Sequence, residues 1–580
     1  MTAYKHKLLM MAAMRCAATM SLALTACSGA PGATKSVNFS STNISLGGAA
    51  SPSRSFGTAV AGDLGTSYGD VNRSNAQFAA SEDTSRPPAL AARGSGDYIV
   101  AFSQYDRSYI TPPTNQSVFA AIPSVSSTTV SMPSTLGGYF YGSPTAVTFN
   151  FAPLITQAYG GSALMTFLGS SQFNGSAVYN LYAWVRAAGS DTWTGSGGGT
   201  AAPATISAAT MEVDNRGPGL CDVMSAQDYA GGFLVGWCGP DAGNTSPTYI
   251  KRYSPFNGWS SASPVAITFM GGAGASIEEA TAMADSAAPA TGQGLDVAYI
   301  PDGSGNAWVA QVTSATPATP EDYNVGLRMF YGRNQSVTSI SGSSIDIELN
   351  AAVTDDVLWS PKIFADSSTY VTAFFARAVA GVGTGDLYMY TANLSDANGD
   401  GDPDTVGATS IANLDDLDFN PAESSEHFAY AMATSPDGSK GALLFSRDAD
   451  TIAIRVRSSS GVWPVVKTYD VPVAGLEFKH MSISIDNNGN MLLAVGLVNI
   501  LGCGYPVGLR YSTTDGWSTA TNLITSASPA ISACDSEHIR VSTTLDNDNR
   551  GIVGFTCLPT TGACAAIAGA TTRNYLLPYR

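Results

Sequence analysis

Residues 481–495 read Met-Ser-Ile-Ser-Ile-Asp-Asn-Asn-Gly-Asn-Met-Leu-Leu-Ala-Val. Ser and Ile alternate up to Ile485, which is the period of a half-buried strand, and the run from Met491 suits a strand buried on both faces. Asp486-Asn487-Asn488-Gly489 between them is a hairpin signal, because Asp, Asn and Gly tolerate the positive φ that tight turns need. The pattern recurs from Leu90 to Phe102, Leu154 to Leu168, Cys221 to Cys238, Leu295 to Gln311, Ile363 to Phe375, Phe428 to Phe445 and Ile539 to Cys557. The apolar strands follow one another at about 65 residues, one four-stranded unit plus long loops.

A second motif closes several units. Tyr182 to Arg186 leads to Asp191-Thr192-Trp193, Ile250 to Tyr253 to Asn257-Gly258-Trp259, Ile454 to Arg457 to Gly461-Val462-Trp463, and Gly508 to Tyr511 to Asp515-Gly516-Trp517. A third strand, a tight turn and a fourth strand opened by Trp fit each case. Four-stranded sheets repeated radially solve the problem of unpaired sheet edges. The expected fold is therefore all-β, a β-propeller of four-stranded antiparallel blades. Eight hairpins predict eight blades, or seven if a terminal unit only completes its neighbour. The last unit continues past Cys564 through Tyr575 to Leu577, enough for two more short strands without borrowing one.

Ser512-Thr513-Thr514-Asp515-Gly516-Trp517 resembles a shortened Asp box of the sialidase-like propellers, as do Ser254 to Trp259 and Ser190 to Trp193. The resemblance spans about residues 86–580 and rests on degenerate motifs. It implies a structural turn in which Asp515 caps backbone amides and Trp517 packs between sheets. It also implies an alternative activity, a sialidase-like glycoside hydrolase at the channel mouth. That chemistry needs an Arg cluster, a Tyr made nucleophilic by Glu and an acidic donor. Arg93, Arg328, Arg540, Tyr430, Glu426, Glu537 and Asp356 supply the residue types without matching the family's positions. Arg186, Arg252, Arg457 and Arg510 sit in the repeated third strand and read as packing and turn residues.

Composition supports an exported β protein. The 580 residues include 60 Gly and 44% hydrophobic residues but only 13% charged ones, which argues against disorder and against a helical protein. The formal charge of -17 disfavours nucleic acid and anionic surfaces as partners. Lys5, Lys7 and Arg15 punctuate an apolar run to Leu24, and Leu24-Thr25-Ala26-Cys27 resembles the bacterial lipobox. Residues 1–26 then read as a lipoprotein signal peptide and Cys27 as the lipidated residue. Ser28 after it favours the outer membrane, with the protein facing the periplasm or the cell surface. Cleavage removes three cations and no acid, taking -17 to -20. Residues 27–85, rich in Ser and Gly, read as a tether, with Val37 to Phe39 and Ile44 to Leu46 a possible docked strand. Residues 86–580 are the propeller.

Six further cysteines suit an oxidising compartment better than zinc. Cys221 with Cys238 and Cys534 with Cys557 flank central hairpins, leaving Cys503 with Cys564. Asp396, Asn398, Asp400, Asp402 and Asp404 alternate oxygen ligands with glycines that let the chain curl, as a calcium cofactor site requires. The segment resembles the start of an EF-hand loop, but position twelve is Gly407 rather than Glu, and a solvated acidic loop is the competing reading. Outside the signal, each His lies at the start of a first strand: Glu426-His427, Lys479-His480 and Glu537-His538. In a propeller those entrances ring one mouth of the channel, so these residues and Arg540 form a candidate ligand site, against the reading that each His packs on its own blade. Three function classes compete: a surface binding protein, a glycan hydrolase or lyase, and a structural envelope protein. A lipid-anchored cell-envelope protein presenting propeller loops to a glycan or protein ligand is favoured, since loops carry Tyr, Ser, Gly and Asn (Tyr105 to Tyr109, Tyr139 to Tyr141, Tyr323 to Tyr331) and no catalytic pairing is secure.

Overall fold

The computed structural model describes the strands and tight turns between Ser55 and Arg580; residues 1–54, 62–86, 106–114, 132–138, 142–147, 171–177, 196–202, 215–222, 239–247, 268–294, 315–322, 333–343, 350–355 and 418–429 are the longer stretches outside the described residues. The Val37 to Leu46 segment, Cys27 and the signal therefore lie outside them. The described chain is an all-β propeller. Among the described residues no helix is long and apolar enough to cross a membrane.

The blade count is six, not eight or seven. Among the described residues the strands hydrogen-bond into six sheets of four or more strands and one two-stranded ribbon. The expected first and second units share one ten-stranded sheet, because Asn115–Ala121 pairs in parallel with Thr148–Gln157 through Asn115 and Gln116. The fourth and fifth units likewise merge into an eight-stranded sheet where Tyr323 meets Val357 in parallel. Hairpin counting overestimates because these joints form between units, at strand ends that carry no turn signal.

Each hairpin follows from its turn. Ala158, Asp228, Asp486 and Asp546 each donate an amide to the carbonyl four residues on, and accept the amide three residues on. The third position then takes positive φ: 89° at Gly161, 89° at Gly231, 86° at Gly489 and 57° at Asn549. This is a tight turn closed by a left-handed residue, which Gly and Asn occupy at least cost. The strands that leave it are buried on both faces: Met491–Asn499 is buried up to Val498, and Gly551–Cys557 is buried throughout.

Apolar side chains pack between successive sheets. Trp237 and Phe233 join Leu164 and Val185 of the preceding sheet, while Leu234 and Ile250 join Leu295 and Val309 of the next. Trp308 joins the two halves of the eight-stranded sheet, packing in one cluster with Ile363 and Phe375. The ring closes by two devices. Val100 and Phe102 pack with Ile552 and Leu576, and Tyr98 donates to Asp546 Oδ2 at 3.0 Å.

The second device corrects the sequence reading of the last unit. Its sheet runs Arg540–Leu545, Gly551–Cys557, Arg573–Tyr579 and then Val60–Ala61, so it does borrow its outer strand, from within 27–85. Val60 pairs with Leu576 and Ala61 with Tyr575, Phe56 bridges to Tyr579, and Ser55 donates to the Arg580 carbonyl at 2.8 Å.

Among the described residues two disulfides are formed, Cys503 with Cys564 and Cys534 with Cys557, with Cα separations of 4.9 and 5.1 Å. The second was read from the repeat and the first was the pair left over. Cys221 lies outside the described residues, and nothing is described of the Cys238 side chain.

Tyr98→Phe leaves a buried carboxylate oxygen of Asp546 without its hydroxyl donor, and is expected to lower stability by about 2 kcal/mol. Urea unfolding of the variant against wild type measures it.

Candidate functional site

Antiparallel alternation gives the ring two different ends. The turns between first and second strands lie at one end; the starts of first strands and the turns between second and third strands lie at the other. Asn499, for example, sits opposite Leu476.

The turn end is knitted together by polar bonds. Asp228 Oδ1 accepts the amides of Ala230 and Gly232, Asp486 Oδ1 those of Asn488 and Asn490, and Asp546 Oδ1 those of Asp548 and Arg550. Each carboxylate takes up amides that a tight turn cannot pair with carbonyls. Neighbouring turns are then linked: Asp437 N donates to Asn487 Oδ1 at 3.0 Å and Asn488 Nδ2 to the Asn547 carbonyl at 3.1 Å. Gln227 Nε2 reaches a turn 209 residues away, donating to the Pro436 carbonyl at 2.7 Å. The Tyr229 hydroxyl abuts Gly438, where a Cβ would lie 2.3 Å from it. Burial, and then the charge of Asp437, push that hydroxyl's pKa well up.

Of the residues expected at the opposite end, Arg540 begins its first strand, whereas His480 lies fifth in Leu476–Ile485 opposite Gly496 and so not at the strand's start; Glu426, His427, Glu537 and His538 lie outside the described residues. His480 Nδ1 accepts the Val541 amide at 3.3 Å, joining Leu476–Ile485 to Arg540–Leu545. That bond requires an unprotonated Nδ1. Ser482 continues the same seam, accepting the Thr543 amide at 3.1 Å. Arg540 is buried, and one of its guanidinium nitrogens donates to the Ile539 carbonyl at 2.9 Å.

A cluster of ionisable groups, of which sequence reading singled out Tyr430 alone, lies on three successive first strands. Asp296 on Leu295–Tyr299, Lys362 on Asp356–Ser367 and Tyr430 on Tyr430–Thr434 are all buried. Asp296 Oδ2 accepts the Ile363 amide at 2.7 Å. The Tyr430 hydroxyl donates to the Ser360 carbonyl, and Ser360 holds φ of 52° where the strand bulges between Trp359 and Lys362. Burial raises the Asp296 carboxyl, opposed by the Lys362 charge and by the Ile363 and Val297 amides. Burial, and then the Asp296 charge, raise Tyr430 well above its ordinary value, against the bond to Ser360. The group can hold a buried charge beside a neutral hydroxyl donor. Its signal was present: an Asp after Leu295 in an apolar strand, and a Lys after Ser360-Pro361.

The third-strand arginines do serve packing and turns. Arg186 Nε donates to the Ser190 carbonyl at 2.5 Å, Arg252 pairs with Asp228 at 3.6 Å, and Arg457 pairs with Asp366. Arg510 donates to the Tyr579 hydroxyl at 2.6 Å. In the turns after them, the amide cap expected of Asp515 falls to serine: Ser512 Oγ accepts the Thr514 amide at 3.3 Å, as Ser254 does from Phe256 and Ser190 from Thr192. Trp517 packs on Tyr511 at 5.1 Å.

The acidic loop forms the turn between Gly385–Ser395 and Thr405–Leu417. Asp396 Oδ1 and Oδ2 accept the Gly399 and Gly401 amides at 2.6 and 2.7 Å, and Asp404 Oδ2 accepts that of Asn398 at 3.1 Å. Asn398 Oδ1 accepts the Asp400 amide, and Asp402, buried, accepts Asn306 Nδ2 at 2.9 Å. The carboxylates thus curl the loop on its own amides. Among the described residues no group of three or more His, Cys, Asp or Glu is set to hold a metal.

No protein-family model and no curated protein matches the chain. Among solved structures it is similar to the BP39L lectin from Burkholderia pseudomallei, at 11% identity over 76% of this chain and 99% of that one, with a TM-score of 0.39. It is also similar to a post-proline cleaving enzyme from Rickettsia typhi (8% identity, 83% and 58% covered, TM-score 0.37). A third is AofleA from Arthrobotrys oligospora (12% identity, 59% and 80% covered, TM-score 0.27). Likeness at this level carries no argument about ligand or activity.

A carboxyl raised by burial binds its proton more tightly folded than unfolded, so stability is lost as pH rises from the ordinary carboxylate value of about 4 towards the folded value. Asp296→Asn abolishes that titration. Its stability relative to wild type is expected to improve as pH rises above the ordinary carboxylate value of about 4, read from urea midpoints at each pH; parallel curves would show that Asp296 is not the group.

Proposed function

We propose that this chain is a lipid-anchored cell-envelope binding protein, carried on Cys27 as an outer-membrane lipoprotein, whose propeller presents loops at the first-strand end to a glycan or protein ligand. The carrying observation is the inequality of the two ends. At the turn end Gln227, Asp437, Asn487 and Asn488 spend their polar groups on neighbouring turns. A ligand approaching there would have to displace bonds that hold the sheets in place. The other end carries the starts of the first strands, Arg540 among them, and the long connections between units. A rigid scaffold bearing long loops is the usual arrangement for recognition. Calcium at Asp396, Asn398, Asp400, Asp402 and Asp404 belongs to the same reading as a structural ion, on the hard-oxygen chemistry of the loop.

Glycan-array binding by the purified protein, with no turnover of aryl glycosides, is the expected result. Turnover that disappears in Tyr430→Phe would replace this reading with the hydrolase. For calcium, calorimetry on the desalted protein is expected to show uptake that Asp400→Ala combined with Asp402→Ala removes; equal uptake by the double variant would sink the site.

A further inference from the structure

The turn between Met491–Asn499 and Cys503–Ser512 lies at the first-strand end and carries Ile500 and Leu501, 86% and 70% exposed. Bulky aliphatic side chains so open, side by side, on a tight turn are unusual and call for a covering surface. The turn is rigid. Asn499 Oδ1 accepts the Leu501 and Cys503 amides at 3.0 and 2.9 Å, the Gly502 amide donates to the Asn499 carbonyl, and Ser536 N donates to the Gly502 carbonyl. Cys503 is bonded to Cys564, and Ile567 just beyond is 45% exposed. The second disulfide, Cys534 with Cys557, braces the strand Ala533–Asp535 that pairs with Cys503 and Gly504.

Three observations choose the covering surface. Residues 487–509 and 551–572 contain no charged side chain, in a chain of net charge -17. The turn tip itself would carry no ion into an apolar medium, the carboxylate paired nearest to it being Asp535 opposite Cys503, which would have to stay at the headgroup level, and the rest of the molecule gives no attraction to an anionic surface. The amides of Leu501, Gly502 and Cys503 are bonded within the protein, which is what a hydrocarbon phase demands of the backbone. Three aliphatic side chains also expose far less than the ~800 Å² per partner of a stable protein interface, yet a few such groups suffice for reversible interfacial anchoring.

We infer that the disulfide-braced turn at Ile500 and Leu501 is a wedge that enters the interface of a zwitterionic lipid bilayer. It needs no lipid on Cys27 and no glycan ligand, so it stands or falls separately from the function proposed above. Insertion brings one rim of the first-strand end beside the lipid surface.

The test uses the full chain mixed with phosphatidylcholine and phosphatidylethanolamine vesicles whose acyl chains are brominated. The emission added by Leu501→Trp is expected to be quenched, and adding Ile500→Asp to that variant is expected to lower the quenching at least about tenfold. Non-reducing peptide mapping of both variants, showing the two disulfides, confirms that the turn is intact. Added emission that brominated vesicles leave unquenched would overturn the inference. So would concentration-dependent self-association without vesicles that Ile500→Asp abolishes, which would assign the turn to a second copy of the chain.

Discussion

A β-sheet cannot end without leaving a row of amides and carbonyls unpaired, and a ring of sheets must also find a partner for the surface between its first and last members. In this protein one short segment meets both needs. Val60 and Ala61 pair with Leu576 and Tyr575, so the outer strand of the last sheet comes from the beginning of the chain. Just before it, Phe56 lies against Tyr579 at 5.5 Å and fits where Gly508 has no side chain. Arg510 holds the same Tyr579 hydroxyl from the neighbouring sheet. This seam joins the first and last members of the ring, while apolar clusters join the successive sheets in between.

Scarce charge gains a meaning from that architecture. With 13% charged residues, the chain spends many of them on turns and seams rather than on a solvated surface. Asp228, Asp486 and Asp546 stand at corresponding positions, each satisfying two turn amides, and two of them also reach outward: Asp228 to Arg252 and Asp546 to Tyr98. One carboxylate therefore sets a turn and ties it to something beyond it. The group of Asp296, Lys362 and Tyr430 repeats this logic deeper in the ring, where Asp296 takes an amide from the adjacent first strand. Buried polar groups of this kind cost stability unless all are satisfied, and they define one register between strands that apolar packing alone would leave slippery.

Much of the fold was legible in the chain, and the reason is local. The alternation before Ile485, the left-handed Gly489 and the apolar run after Met491 are neighbours in sequence, so the hairpin they make is written in one stretch. The pairing of Cys534 with Cys557 was legible for the same reason, since it flanks one hairpin, and Cys503 with Cys564 followed only as the pair left over. The site was legible only in part: Tyr430 was singled out for its residue type, whereas Asp296 and Lys362 look like ordinary strand residues until three strands from distant parts of the chain converge, and His480 was expected at a strand start but lies inside Leu476–Ile485.

By itself the sequence determined the class of structure, its hairpins, their turn residues and the Cys534–Cys557 pair, because each depends on contacts within a few tens of residues and on side chains suited to particular backbone angles. The tertiary structure alone decided that the sheets number six, that residues 55–61 close the ring, and that Ser512 rather than Asp515 caps its turn. Parallel joints such as Asn115 with Thr148 and Tyr323 with Val357 form between strand ends that no turn connects, and a closing strand can come from either end of the chain. Edge pairing is satisfied by any backbone that arrives in register, so it leaves little mark on the side chains and becomes visible only when the ring is assembled.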